Sequence, residues 1–408
     1  MLSSVYCLPA DLLGEGARRV VGTVRERAGV PGVTVAACYH ASRDIYPHNP
    51  VYRVASLAPG AFYAVDPAAY PGPLRPAVSP SAAGRDILAE TCQAAAPLGV
   101  QVSAWAVLLH RDDLDDTAPE VQENCFGDRF PGRLCPASPA VRDYALAMVG
   151  ELCRYPIAAL RAEALHYQGA AHGHHHERCL EDYGEFARFL LGLCFCPSCA
   201  DQAARHGADV PALAARCRTY LTSVFDQAPD PSSLTAVPDA SSLTEACGPD
   251  IHPYLAARTA TVTTLARAAT DQARQAGVRL TLLDETIPMQ AYATGHGFDP
   301  ANKLVRAELA LDPRALSQAG VHLEEPLYLA EPADTRTALT WYRTRVGPSA
   351  PLSAVLRPGP PDTRTPESLR QKAQLAQSHA CTELNFYAYG LYRLQALDQI
   401  RTALPTTP

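Results

Sequence analysis

PYLAARTATVTTLARAATDQARQAGVRLTLLDE, residues 253–285, contains both halves of one structural unit. Pro253 to Ala276 is a long amphipathic stretch that reads as a helix, Gly277 punctuates it, and Val278 to Leu283 is a short apolar run of strand length. Two acids, Asp284 and Glu285, close the run. The same succession recurs on both sides. Strands are expected at Ser4 to Leu8, Val33 to Tyr39, Val100 to Leu109, Ile157 to Leu165, Val278 to Leu283, Gly320 to Leu327, Leu352 to Leu356 and Thr382 to Tyr387. Helical patterns lie between them, among them Gly16 to Ala28, Ala140 to Cys153, Ala338 to Val346 and Thr365 to His379. Short apolar runs alternating with longer amphipathic stretches are the pattern of parallel strands joined by crossover helices. Eight such units predict an α/β fold, a (β/α)8 TIM barrel closed by a final helix from Leu391 to Leu404. The competing architecture is an open doubly wound sheet. Against it, Cys7-Leu8-Pro9-Ala10 follows the first strand where that fold would carry a Gly-rich phosphate loop.

The chain of 408 residues is read as a single barrel domain, 1–408, with two long insertions. One follows the third strand, 110–138, and one rich in His and Cys follows the fourth, 169–208. Both leave strand C-terminal ends, the face on which barrel enzymes carry their active sites. Asp226 to Asp250, rich in Pro, Ser and Asp, is expected to be a surface loop. Hydrophobic residues at 47% and charged residues at 19% exclude a disordered chain. A net charge of −7 argues against nucleic acid as a partner. The first positive charge is Arg18 and no apolar run reaches membrane-spanning length, so neither a secretory leader nor a membrane partner is expected and the predicted location is cytoplasmic. Homo-oligomerisation stays open.

Thirteen cysteines, an odd number, do not suggest a disulfide framework in a reducing compartment. Cys194, Cys196 and Cys199 place three thiols within six residues, close enough in a turn to face one soft, tetrahedral cation. The fourth ligand is open between Cys135, Cys179 and a histidine of the run His172 to His176.

Cys135-Pro136-Ala137-Ser138-Pro139 before a helix, then a strand ending in an acidic segment, then Cys194-Phe195-Cys196-Pro197-Ser198-Cys199, resembles the β-galactosidases of glycoside hydrolase family 42 and related barrel proteins. The resemblance implies a structural zinc held by Cys135, Cys194, Cys196 and Cys199 beside the barrel mouth. It covers about a sixth of the chain, from Cys135 to Cys199. Asn385-Phe386-Tyr387-Ala388-Tyr389-Gly390 is similar to the final strand of glycoside-hydrolase-like barrels. The chain departs from the family at both catalytic positions. Where the family ends its fourth strand in Asp-Asn-Glu, this one reads Arg161-Ala162-Glu163-Ala164-Leu165-His166-Tyr167; Glu163 falls nearer the family's Asp, and Leu165 stands for its acid/base. Where the family has a nucleophilic Glu after the seventh strand, Arg357-Pro358-Gly359-Pro360 follows Leu356.

Glycoside hydrolysis needs one carboxyl that donates a proton and one that stays ionised. Glu163, paired with Asp284 or Glu325, is the expected catalytic set, with only one member of each adjacent acid pair able to face the interior. Tyr39, His40, Trp105, His110, His166, Asn385, Tyr387 and Tyr389 are candidate sugar-binding residues, and Arg357 a candidate clamp for an anionic group. His172, His174, His176 and Glu177 are dense enough in imidazole and carboxylate for a proton relay or a second divalent metal. The leading expectation is a glycoside-hydrolase-like enzyme acting on a small carbohydrate. The alternatives are a metal-dependent hydrolase or isomerase built on His172 to Glu177, and a barrel that binds carbohydrate or protein without turnover.

Overall fold

A computed structural model of the chain describes residues 2–170, 178, 180–226, 240–294 and 297–404. Eight parallel strands form the barrel: β1 Ser4–Cys7, β2 Gly32–Tyr39, β3 Gln101–Val107, β4 Ala159–Glu163, β5 Arg279–Leu283, β6 His322–Pro326, β7 Leu352–Leu356 and β8 Glu383–Phe386. Each pairs with its sequence neighbour, and β1 pairs with both β2 and β8, which closes the sheet. Each of the eight expected strands is present. The third and fourth stop short of their expected ends because Ala164 turns into the left-handed region at φ 52° and ends β4. The chains still run side by side, Leu108 and Leu109 donating to the carbonyls of Glu163 and Ala164 at 2.9 and 3.2 Å.

Helices such as Pro139–Leu152, Ile251–Gln275, Pro332–Val346 and Pro366–Ser378 surround the barrel. Proline at the first or second position, where no intrahelical donor is needed, starts three of them. The expected helix from Gly16 to Ala28 is present as Ala17–Thr23 continued by a π-helical turn, Val24–Ala28, and Gly16, φ 83°, separates it from a further short helix, Pro9–Glu15. Part of the expected loop is the helix Ala240–Cys247, while 227–239 lie outside the described residues. No helix among the described residues is long and apolar enough to cross a membrane.

The β3 connection carries a hairpin of Val121–Glu123 with Arg129–Leu134. The β4 connection carries helices Gly184–Gly192, Pro197–Arg205 and Val210–Asp226. These pack around their own apolar cluster, which includes Phe189, Leu190, Leu213, Cys217, Leu221 and Tyr254. A further long connection follows β2, with a hairpin of Ser42–Ile45 and Val54–Leu57 that the sequence reading did not single out.

The barrel interior is polar, unlike the branched apolar filling usual for this fold. Arg161, 2% exposed, holds Glu324 at 2.6 Å and Glu383 at 2.5 Å. Asn385 donates to Glu324 at 2.8 Å and accepts from the Ser4 amide and hydroxyl at 3.0 and 2.9 Å. The Ser4 hydroxyl meets that of Thr34 at 2.7 Å. Buried charge is tolerable only when paired and hydrogen-bonded, and this set meets that condition.

Candidate active site

Register parity decides which acids reach the mouth. Arg161 and Thr281 meet inside the barrel, so Glu163, two residues on in β4, and Glu285, four residues on past β5, share that inward face. The Trp105 indole N–H donates to Glu163 Oε2. His166 Nε2 lies 2.7 Å from Glu285 Oε2, with side-chain exposures of 1% and 14% respectively. Burial, and then the charge of Glu285, push the Glu163 carboxyl well above the usual carboxylate range against the opposing Trp105 hydrogen bond. The mouth therefore sets a carboxyl that favours its protonated form beside a second carboxyl bonded to an imidazole. That division of labour is what acid-assisted bond cleavage requires.

Aromatic rings line the same opening. Trp105 contacts Tyr6, Tyr39 and Tyr387 edge-on, with centroids 5.2, 4.7 and 6.0 Å apart. His40 stacks on Tyr39 at 4.0 Å and on His110 at 5.3 Å. His110 Nε2 lies 2.8 Å from Asp112, whose other oxygen accepts from the Ala41 amide at 2.8 Å. Burial and the neighbouring His110 lower the pKa of His40, so it is neutral at pH 7. The Arg357 guanidinium covers the Tyr328 ring at 3.8 Å and binds Asp362 at 3.1 Å, so a substrate anion would compete with an existing partner.

The structure brings together Glu163, His166, Trp105, Tyr39, His40, His110, Arg357 and Tyr387, and adds Glu285, Asp112 and Tyr328. Four expected residues lie elsewhere. Asn385 belongs to the interior network. Tyr389 donates to Glu15 at 3.0 Å and packs against His48 at 4.9 Å. Asp284 and Glu325 alternate outward from Glu285 and Glu324 and meet Tyr342 of the helix Pro332–Val346 behind the barrel wall. Burial raises both carboxyls above the ordinary range there. His172, His174, His176, Glu177 and Cys179 lie outside the described residues.

The fourth thiol of the cysteine cluster is Cys135. Its sulfur lies 3.3 Å from that of Cys199, 3.5 Å from that of Cys196 and 3.9 Å from that of Cys194. All four are buried and none forms a disulfide. A tetrahedral ion with metal–sulfur bonds of about 2.3 Å sets its sulfurs about 3.8 Å apart, close to this spacing. The Glu123 amide donates to Cys194 Sγ at 3.4 Å, and the buried Arg258, 3.7 Å over the Tyr167 ring, acts electrostatically on Cys194 and Cys199. Donor set, burial and a nearby cation suit a thiolate-bound soft metal. Tyr167, adjacent to His166, lies 3.3 Å from Cys199 through its hydroxyl, so the cluster abuts the mouth.

No family model matches the chain, and no curated protein matches it. Solved structures share its fold. A β-galactosidase from the Antarctic haloarchaeon Halorubrum lacusprofundi aligns over 99% of this chain and 57% of its own, at 15% identity and a TM-score of 0.55. A β-galactosidase from the psychrophilic Marinomonas ef1 aligns over 99% and 59%, at 12% identity and a TM-score of 0.58. The catalytic domain of a β-amylase from Paenibacillus polymyxa aligns over 99% of both chains, at 12% identity and a TM-score of 0.58. The chain thus spans under three fifths of the two β-galactosidases it matches.

Proposed function

We propose that the chain is a glycoside-hydrolase-like enzyme in which Glu163 and Glu285 act on the glycosidic bond of a carbohydrate. The observation that carries this reading is the pairing of a carboxyl driven towards its protonated form with a second carboxyl bonded to an imidazole, at the mouth of the barrel. Glu163 donates its proton to the departing sugar oxygen. Glu285 presents negative charge to the cationic sugar carbon that develops as the bond breaks, and water then bonds to that carbon and returns a proton to the Glu163 carboxylate. Tyr387, partly exposed at the mouth, offers its ring to the apolar side of a pyranose, while His40, His110 and Asp112 bond its hydroxyl rim. The two β-galactosidases and the β-amylase of similar fold are glycosidases by name and support the same reaction class. The four thiolates would hold zinc as a structural ion.

Glu163→Gln removes the transferable proton and keeps the shape. Turnover of a panel of aryl glycosides is expected to fall by at least about a thousandfold, with the circular dichroism spectrum and zinc content per chain unchanged. Full activity in this variant would remove Glu163 from the mechanism, whereas a wild type that turns over no glycoside would favour a barrel that binds without turnover.

A further inference from the structure

His166 presents an unusual constraint. Both of its ring nitrogens face oxygen: Nδ1 lies 2.6 Å from the Tyr167 carbonyl and Nε2 lies 2.7 Å from Glu285 Oε2. A carbonyl oxygen only accepts, so Nδ1 carries a hydrogen. The proton on the other side is then shared between Nε2 and the carboxyl, and it has two places to sit. In water the imidazole holds a proton about two units more tightly than a carboxyl does. Here the ring is fully enclosed, whereas Glu285 keeps partial contact with water, so the carboxylate retains solvation when ionised. We infer that His166 is a positioning residue that stands beside the site as an imidazolium and fixes Glu285 in its charged form. This rests on the reading of Glu163 as acid and Glu285 as counter-charge.

The groups facing the pair agree in sign. Glu285 bonds the ring directly, Asp284 acts on it from the outer face of the same strand end, and Glu163 lies across Glu285. His40, on the β2 side, feels Glu285 but is itself held neutral by burial and His110, so no second cation competes for the carboxylate. Burial works against the charged ring, but the Glu285 hydrogen bond and charge outweigh it, and the net effect raises the pKa of His166.

The test is His166→Gln, whose amide N–H can still donate to Glu285 but carries no charge, together with nitrogen-15 NMR of the wild-type histidines. In the wild type, the His166 signals are expected to show both nitrogens protonated at pH 7. In the variant, the acid limb of the kcat/KM profile is expected to move up by about one pH unit or more, because the cation bonded to Glu285 is gone. Wild-type His166 found as the neutral Nδ1–H tautomer at pH 7 would overturn the inference, as would an acid limb that does not move. The NMR readout needs no substrate. A wild-type protein without glycosidase activity would therefore end the functional reading, and a doubly protonated His166 in it would still uphold the charge assignment.

Discussion

Trp105 reaches the acid that carries the proposed chemistry, and its indole N–H favours the ionised form of Glu163 while burial and Glu285 favour the protonated form. Replacing Trp105 with Phe removes the donor and keeps an aromatic ring against Tyr6 and Tyr39. With the donor gone, Glu163 holds its proton to higher pH. The alkaline limb of the kcat profile is accordingly expected to shift upward, by up to about one unit. A downward shift would mean that Trp105 does not stabilise the carboxylate. The same residue-level logic explains the expectations that went elsewhere. Asp284 and Glu285 are both acids at one strand end, and nothing in their identity says which faces inward; parity counted from Thr281 against Arg161 selects Glu285. Asn385 and Tyr389 are polar and aromatic like the residues at the mouth, but one completes the interior network and the other bonds Glu15.

At the scale of elements, each strand was legible because its apolar runs are short, bounded and separated by amphipathic stretches. Element ends were less so, since they depend on local dihedrals such as that of Ala164, which no periodicity reports. The hairpin after β2 escaped notice because Ser42–Ile45 and Val54–Leu57 are only four residues each and half exposed. The polar interior was equally hidden. Arg161, Glu324 and Glu383 sit on three different strands, and their meeting is a property of closure rather than of any one segment. Arg161→Met should therefore be costly despite similar volume: Glu383 keeps Arg279, but Glu324 is left buried without a cation, a loss of about 3–5 kcal/mol expected in chemical denaturation. Adding Glu324→Gln to that variant should recover much of the loss. Failure of the double variant to recover would mean that the guanidinium contributes packing rather than charge compensation.

Across the whole molecule, the thiolate cluster joins parts that the barrel alone does not hold. Cys135 comes from the β3 connection, and Cys194, Cys196 and Cys199 come from the β4 connection with its separate apolar cluster. A metal bound there ties the two connections to each other, and the contacts continue from Cys199 to the Tyr167 hydroxyl, and from the adjacent His166 to Glu285. Stripping the metal, or replacing Cys196 with Ser, should release the β4 connection first and leave the closed sheet in place. The thermal midpoint is expected to fall by on the order of 10 °C. Because His166 would lose its firm footing, kcat should fall by about tenfold or more while far-ultraviolet circular dichroism changes little. A metal-free protein that keeps full activity but melts early would confine the cluster to stability. One that keeps both would mean that the four thiols hold their geometry by packing alone, despite sulfurs spaced as a tetrahedral ion would space them.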